Sequence, residues 1–110
     1  MLKRTLVFLS LVILAIFLMS TPALAQKVQG VTDTEVLIGQ WGPQTGPAAP
    51  WGAVARGTDL LVKIINEEGG INGRKFKYFL RDDSYQPAKT KAIVKEFVEQ
   101  SGVFAVVGGV

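Results

Sequence analysis

Apolar positions recur with two different periods between residues 35 and 107, and each change of period marks an element. Val36, Leu37 and Ile38 form a short apolar run closed by Gly39, which predicts a first strand over Glu35–Gln40. From Trp41 to Pro50 three prolines and two glycines exclude regular structure. Pro50 then leads into a helix from about Trp51 to Glu68, with Val54, Thr58, Leu61 and Ile65 spaced for one face. Val62 and Ile64 widen that face, as burial against a sheet requires. Gly57 costs about 1 kcal/mol relative to Ala inside a helix, so close packing on the sheet is its expected purpose. Gly69-Gly70 stops the helix, because glycine accepts the left-handed conformation at a helix end.

Ile71-Asn72-Gly73 predicts a turn, and the period then falls to two. Lys75 to Arg81 reads KFKYFLR, with Phe76, Tyr78 and Leu80 alternating against Lys75, Lys77 and Arg81. Such charged alternation predicts an edge strand. Asp82-Asp83-Ser84 makes a loop, and Pro87 suits the first turn of a second helix reaching about Ser101. That helix is expected to bury Ile93, Val94, Phe97 and Val98, leaving Lys89, Lys91, Lys95, Glu96 and Glu99 as a solvated face. After Gly102, Val103 to Val107 predicts a third strand buried on both faces. The fold class is therefore α/β: a β-α-β-α-β start of a doubly wound parallel sheet, in strand order 2-1-3, with its helices on opposite faces. The apolar third strand runs into Gly108-Gly109 with no residues to cover its edge. We therefore expect the chain to be the N-terminal piece of a longer, incomplete lobe.

The first 25 residues do not belong to this pattern. Lys3 and Arg4 precede an apolar run, Leu6 to Met19, and Ala23-Leu24-Ala25 predicts cleavage before Gln26. The 14-residue run is shorter than the roughly 18–20 residues of a spanning helix, so residues 1–25 read as a secretory signal. The mature chain is then periplasmic or secreted and not membrane-embedded. Losing Lys3 and Arg4 leaves 10 basic residues against 9 acidic ones, which removes the case for nucleic acid that the whole-chain charge of +3 raises. The absence of Cys and His excludes Cys/His zinc sites, Cys- or His-based catalysis and lipidation at a cleaved N-terminal cysteine. No metal, cofactor or catalytic residue is assigned.

The loop leaving the first strand is the natural place for a ligand, since open α/β sheets bind at the carboxyl ends of their strands. A dinucleotide needs G-x-G-x-x-G there, whereas these glycines stand at 39, 42, 46 and 52. Pro43 and Pro47 also remove donors from any phosphate cradle, so a nucleotide-dependent enzyme is the weakest alternative. A small amphipathic molecule fits better. Trp supplies a stiff apolar wall, the helix start near Gly52 supplies free N–H groups, and Thr45 supplies a hydroxyl. Trp41 directly follows the strand and reads as a packing residue. Trp51 divides evenly between site and packing, and Thr45 between a ligand contact and a local turn bond. Asp82 and Asp83 read as helix-capping or loop-fixing groups.

LIGQWGPQTGPAAPWG, INEEGGINGRK, RDDSYQP and GVFAVVGG occur in that order between Val31 and Val110. Together they resemble the start of a type I periplasmic solute-binding protein, closest to the branched-chain amino acid receptors of ABC importers. The resemblance implies two α/β lobes closing by a hinge on an amino acid, amide or similar small molecule, which a membrane permease then takes. Residues 26–110 would open the first lobe, with the remainder of the domain absent. Trp51 would stand where an aromatic, often Tyr, lines the ligand's side, and Thr45, Gly46 and Pro47 would form the loop at the cleft mouth. The main carboxylate and ammonium binders would lie beyond Val110. Ser84 stands near a position where some receptors carry a disulfide-forming Cys. A ligand-sensing domain of the same fold in a signalling receptor is the alternative reading.

Overall fold

The computed structural model describes residues 1–9 and 27–110. Residues 2–9 are helical, while the expected cleavage site at Ala25–Gln26 lies outside the described residues. Among the described residues no helix is long and apolar enough to cross a membrane.

β1 (Glu35–Trp41) is the middle strand of a parallel sheet. β2 (Lys75–Arg81) and β3 (Ala105–Val106) flank it, in the expected order β2-β1-β3. Glu35 pairs with Lys75 and Trp41 with Arg81, so β1 and β2 run in register over seven residues. A short 3-10 turn, Ala49–Gly52, precedes α1 (Ala53–Glu67), and α2 is Pro87–Glu99. The first strand is thus one residue longer than expected, and both helices are shorter. Pro50 sits in the first turn of the 3-10 segment, where its fixed φ suits a helix start, and α1 continues from that segment.

Alternation along β1 puts the two helices on opposite faces. On one face Gly39 and Trp41 meet α2: Phe97 is fully buried there with Ile93 and Val103, against Trp41, Phe79 and Val106. Gly39 is required, since a Cβ at that position would sit 2.8 Å from the Phe97 ring. Arg81 crosses from β2 to Glu96 at 2.8 Å and lies over the Phe79 and Phe97 rings. On the other face Ile38 and Gln40 meet α1, which buries Ala55 and Val62.

Four packing expectations are overturned. The buried stripe of α1 is turned by about a quarter from the expected one, leaving Val54 and Leu61 exposed. Gly57 does not pack on the sheet and has nothing within 4 Å of its Cβ position. The reason is visible in Asn66, whose amide donates to the Phe76 carbonyl at 2.7 Å and accepts from its N–H at 2.8 Å. Asn66 and the small Ala55 dictate which side of α1 faces inward. Val98 is exposed because Ile93 and Phe97 are the residues that α2 turns toward the sheet. β3 pairs over two residues only, and Phe104 beside it is half exposed rather than buried on both faces.

Candidate functional site

Three loops leave the carboxyl ends of the parallel strands and share one edge of the sheet: residues 42–48 after β1, 82–86 after β2 and 107–110 after β3. The first is built on close approach. Gly42 and Pro43 are buried, Gly46 takes φ +81°, and a Cβ on Gly52 would collide with the Pro43 carbonyl. The chain therefore turns back on itself before α1. Trp51 projects from this turn with 65% of its surface exposed. α1 beside it continues directly from the 3-10 turn, with the Trp51 and Ala53 N–H groups donating to the Ala48 and Pro50 carbonyls; its start has no side-chain cap and no acidic residue in its first turn.

Asp82 ties the first loop to the second. Its Oδ1 accepts from the Gln44 N–H at 2.8 Å, the Ser84 N–H at 2.8 Å and the Thr45 N–H at 3.4 Å. Its Oδ2 accepts the Thr45 hydroxyl at 2.5 Å. Those donors, the Thr45 hydroxyl foremost and then the Gln44 and Ser84 N–H groups, hold the Asp82 carboxyl at about 2 against an ordinary 3.8. Ser84 Oγ lies 3.0 Å from Thr45 Oγ1 and accepts from Lys89 Nζ at 3.1 Å, so a chain of donors runs from Lys89 to the carboxylate. Asp83 is buried and turns inward, accepting from the Tyr85 N–H and the Thr90 hydroxyl. Both aspartates fix the loop. Neither caps α2, whose N-cap, Gln86, makes no side-chain cap bond.

Thr45, Gly46, Pro47 and Trp51 all lie on the β1–α1 loop and its following turn, at the sheet's carboxyl edge and exposed. Thr45 uses its hydroxyl on Asp82 and Ser84. Trp41 packs against the α2 core, as its position directly after the strand predicts. It also walls a separate depression of about 510 Å³ with Asp83, Tyr85, Pro87 and Thr90.

Two glutamines escaped the reading of the sequence. Gln44 accepts from Arg56 at 2.9 Å and donates to the Gly52 carbonyl at 3.4 Å, which joins the loop to the start of α1. Gln40 is fully buried, with Tyr78 donating to its Oε1 at 2.8 Å and its Nε2 donating to the Gly108 carbonyl at 2.5 Å. The available signal for Gln40 is a polar residue at an inward position of an apolar strand. Among the described residues no acidic cluster could hold a metal ion.

Comparison with known proteins agrees with this arrangement. Residues 35–110 match the family model described as periplasmic binding protein. The chain is 37% identical over 101 residues to an amino acid binding protein of Pseudomonas aeruginosa, covering 91% of this chain and 25% of that one. A branched-chain amino acid transporter substrate binding protein from Streptococcus pneumoniae, solved in complex with isoleucine, matches with a TM-score of 0.64 at 32% identity. That match covers 68% of this chain and 22% of the other. A fatty acid ABC transporter substrate-binding protein from Thermomonospora curvata matches with a TM-score of 0.63 at 28% identity, over 77% of this chain and 22% of that one. The chain spans about a quarter of the length of the curated relatives it matches. From its parallel β-α-β-α-β unit and its match over residues 35–110, the chain belongs to the periplasmic binding protein family, within which it is similar to the type I branched-chain amino acid binding proteins.

Proposed function

We propose that this chain is the opening part of the first lobe of an exported receptor that captures an amino acid or similar small polar solute. The receptor serves an ABC importer, closing two lobes on its ligand by a hinge and presenting it to a membrane permease. Residues 1–25 act as the export signal, cleaved between Ala25 and Gln26, and the mature protein works in the periplasm. No bond is made or broken in this role.

The observation that carries the reading is the placement of Trp51. A large aromatic stands exposed on the turn that leads into α1, at the carboxyl edge of a parallel sheet, in a chain of this family. An indole face can cover an apolar side chain while a helix N-terminus attracts a carboxylate, and an amino acid carries both groups. Gly46 and Pro47 shape the exposed lip, and Thr45 fixes it through its hydroxyl contacts with Asp82 and Ser84.

A thermal-shift screen of the full-length mature protein against the amino acids and their amides tests the reading. At least one ligand at about 100 times its Kd is expected to stabilise the protein by about 2.7 kcal/mol. A protein that no amino acid or amide stabilises would contradict it.

A further inference from the structure

We propose that Asp82 is the positioning residue for the ligand-facing wall, setting the Trp51 turn from the end of β2 through Thr45 and Gln44. The proposal rests on the ligand-binding reading above, but the geometry is independent of any ligand. One carboxylate accepts four hydrogen bonds, three from two consecutive residues of the β1–α1 loop and one from its own loop. Gln44, held by its backbone N–H, extends its side chain to the Gly52 carbonyl and to Arg56. Gly52 directly follows Trp51, and Arg56 lies one turn into α1.

The path from Asp82 to the Trp51 turn therefore contains one intermediate residue. No other described side chain joins the β1–α1 loop to β2 or to the loop after it except Ser84, which reaches Thr45 through its hydroxyl. Backbone bonds anchor the two ends of the wall: the Gly42 N–H donates to the Arg81 carbonyl at 3.1 Å, and the Ala49 and Trp51 N–H groups close turns on Gly46 and Ala48. Between them Pro43 and Pro47 have no N–H to donate, and Trp51 is not packed into the core. The middle of the loop, Gln44 and Thr45, is tied from outside by Asp82. Thr45 consequently serves the wall's shape ahead of the ligand's recognition.

The test compares Asp82→Ala with Asp82→Asn in full-length protein. Asn keeps an acceptor oxygen for the Gln44 and Ser84 N–H groups and can donate to Thr45, so it should restore what Ala loses. Amide hydrogen exchange reads the loop without ligand. In Asp82→Ala the Gln44, Thr45 and Trp51 amides should exchange at least about tenfold faster, while Ile38 and Gly39 in β1 stay protected. Affinity for L-isoleucine, or for whichever amino acid the screen identifies, should fall about tenfold in Asp82→Ala and remain near wild type in Asp82→Asn. Unchanged loop exchange in Asp82→Ala would overturn the proposal, as would faster loop exchange with unchanged affinity. Equal loss of protection across β1 and the loop would mark Asp82 as a general stability residue and overturn it too. Wild-type protein that binds no amino acid would fail the ligand reading alone, and exchange at Trp51 would then decide whether Asp82 sets the turn.

Discussion

The two faces of the sheet are held by different physics. On the α2 face a single aromatic does most of the work: Phe97 is fully buried among Ile93, Val103, Phe79 and Trp41. On the α1 face burial is slight, limited to Ala55 and Val62 within the helix, and hydrogen bonds take over. Asn66 pairs with both backbone groups of Phe76, and the Tyr78 hydroxyl lies within reach of Gln40 Oε1 and the Ala55 carbonyl, at 2.8 and 3.0 Å. Lys75, the neighbour of Phe76, sends its N–H to Thr34 beside β1, so Phe76 directs its own groups to the outer edge of β2. Asn66 therefore covers the backbone groups that would otherwise present a free strand edge. Apolar packing is tolerant of direction, whereas hydrogen bonds fix it. The face carrying the candidate site is the one that α1 enters at a fixed angle.

The largest effect should come from the packed face. Phe97→Ala removes a fully buried ring from against Gly39 and should cost about 3–5 kcal/mol in urea denaturation of the full-length protein. A loss below about 1 kcal/mol would mean the core relaxes around the cavity, and the contrast between the faces would be wrong. Asn66→Ala should cost less, about 1–3 kcal/mol, since it strips partners from two backbone groups that water can partly reach. It should also raise the tendency of β2 to self-associate, measurable by light scattering.

The smallest effects are those of pH, and they have opposite signs. Burial foremost, then the nearby Asp59 charge, pushes the Tyr78 hydroxyl up to about 12 from 10. The stabilisation is therefore complete below pH 10 and is lost as pH rises through 12. Tyr78→Phe should abolish that alkaline limb at a cost of about 1 kcal/mol at neutral pH. Asp82 behaves oppositely: its contribution is present above pH 3.8 and disappears as pH falls through about 2. Loop amides at Gln44 and Thr45 should follow this acid limb and ignore the alkaline one.

Element type and order were legible because the periods are clear. The three-strand order, the edge position of β2 and the packing role of Trp41 all followed from alternation and from the residues that break it. The inward side of α1 was not legible. Val54, Leu61 and Ile64 form as good an apolar stripe as the one the helix buries, and only contact with the sheet distinguishes them. Periodicity weighs hydrophobic residues and is blind to Asn66, which decides the matter by hydrogen bonding. The same blindness hid Gln40 and Gln44. At the candidate site the sequence left Trp51 evenly divided between site and packing, and its ring stands exposed; of the two roles open to the aspartates, helix-capping and loop-fixing, the second is the one they take. The pairing of Asp82 with Thr45 joins positions 37 residues apart, which no local pattern can encode.

The central claim is that the lip after β1 forms a wall of a solute-binding cleft. Calorimetric titration of the full-length mature protein tests it most directly, using the amino acid that stabilises it best. Trp51→Ala should weaken binding by at least about 1.4 kcal/mol, a factor of ten, with little change in stability, because the ring is exposed without ligand. Trp51→Ala protein that binds as tightly as wild type would contradict the account.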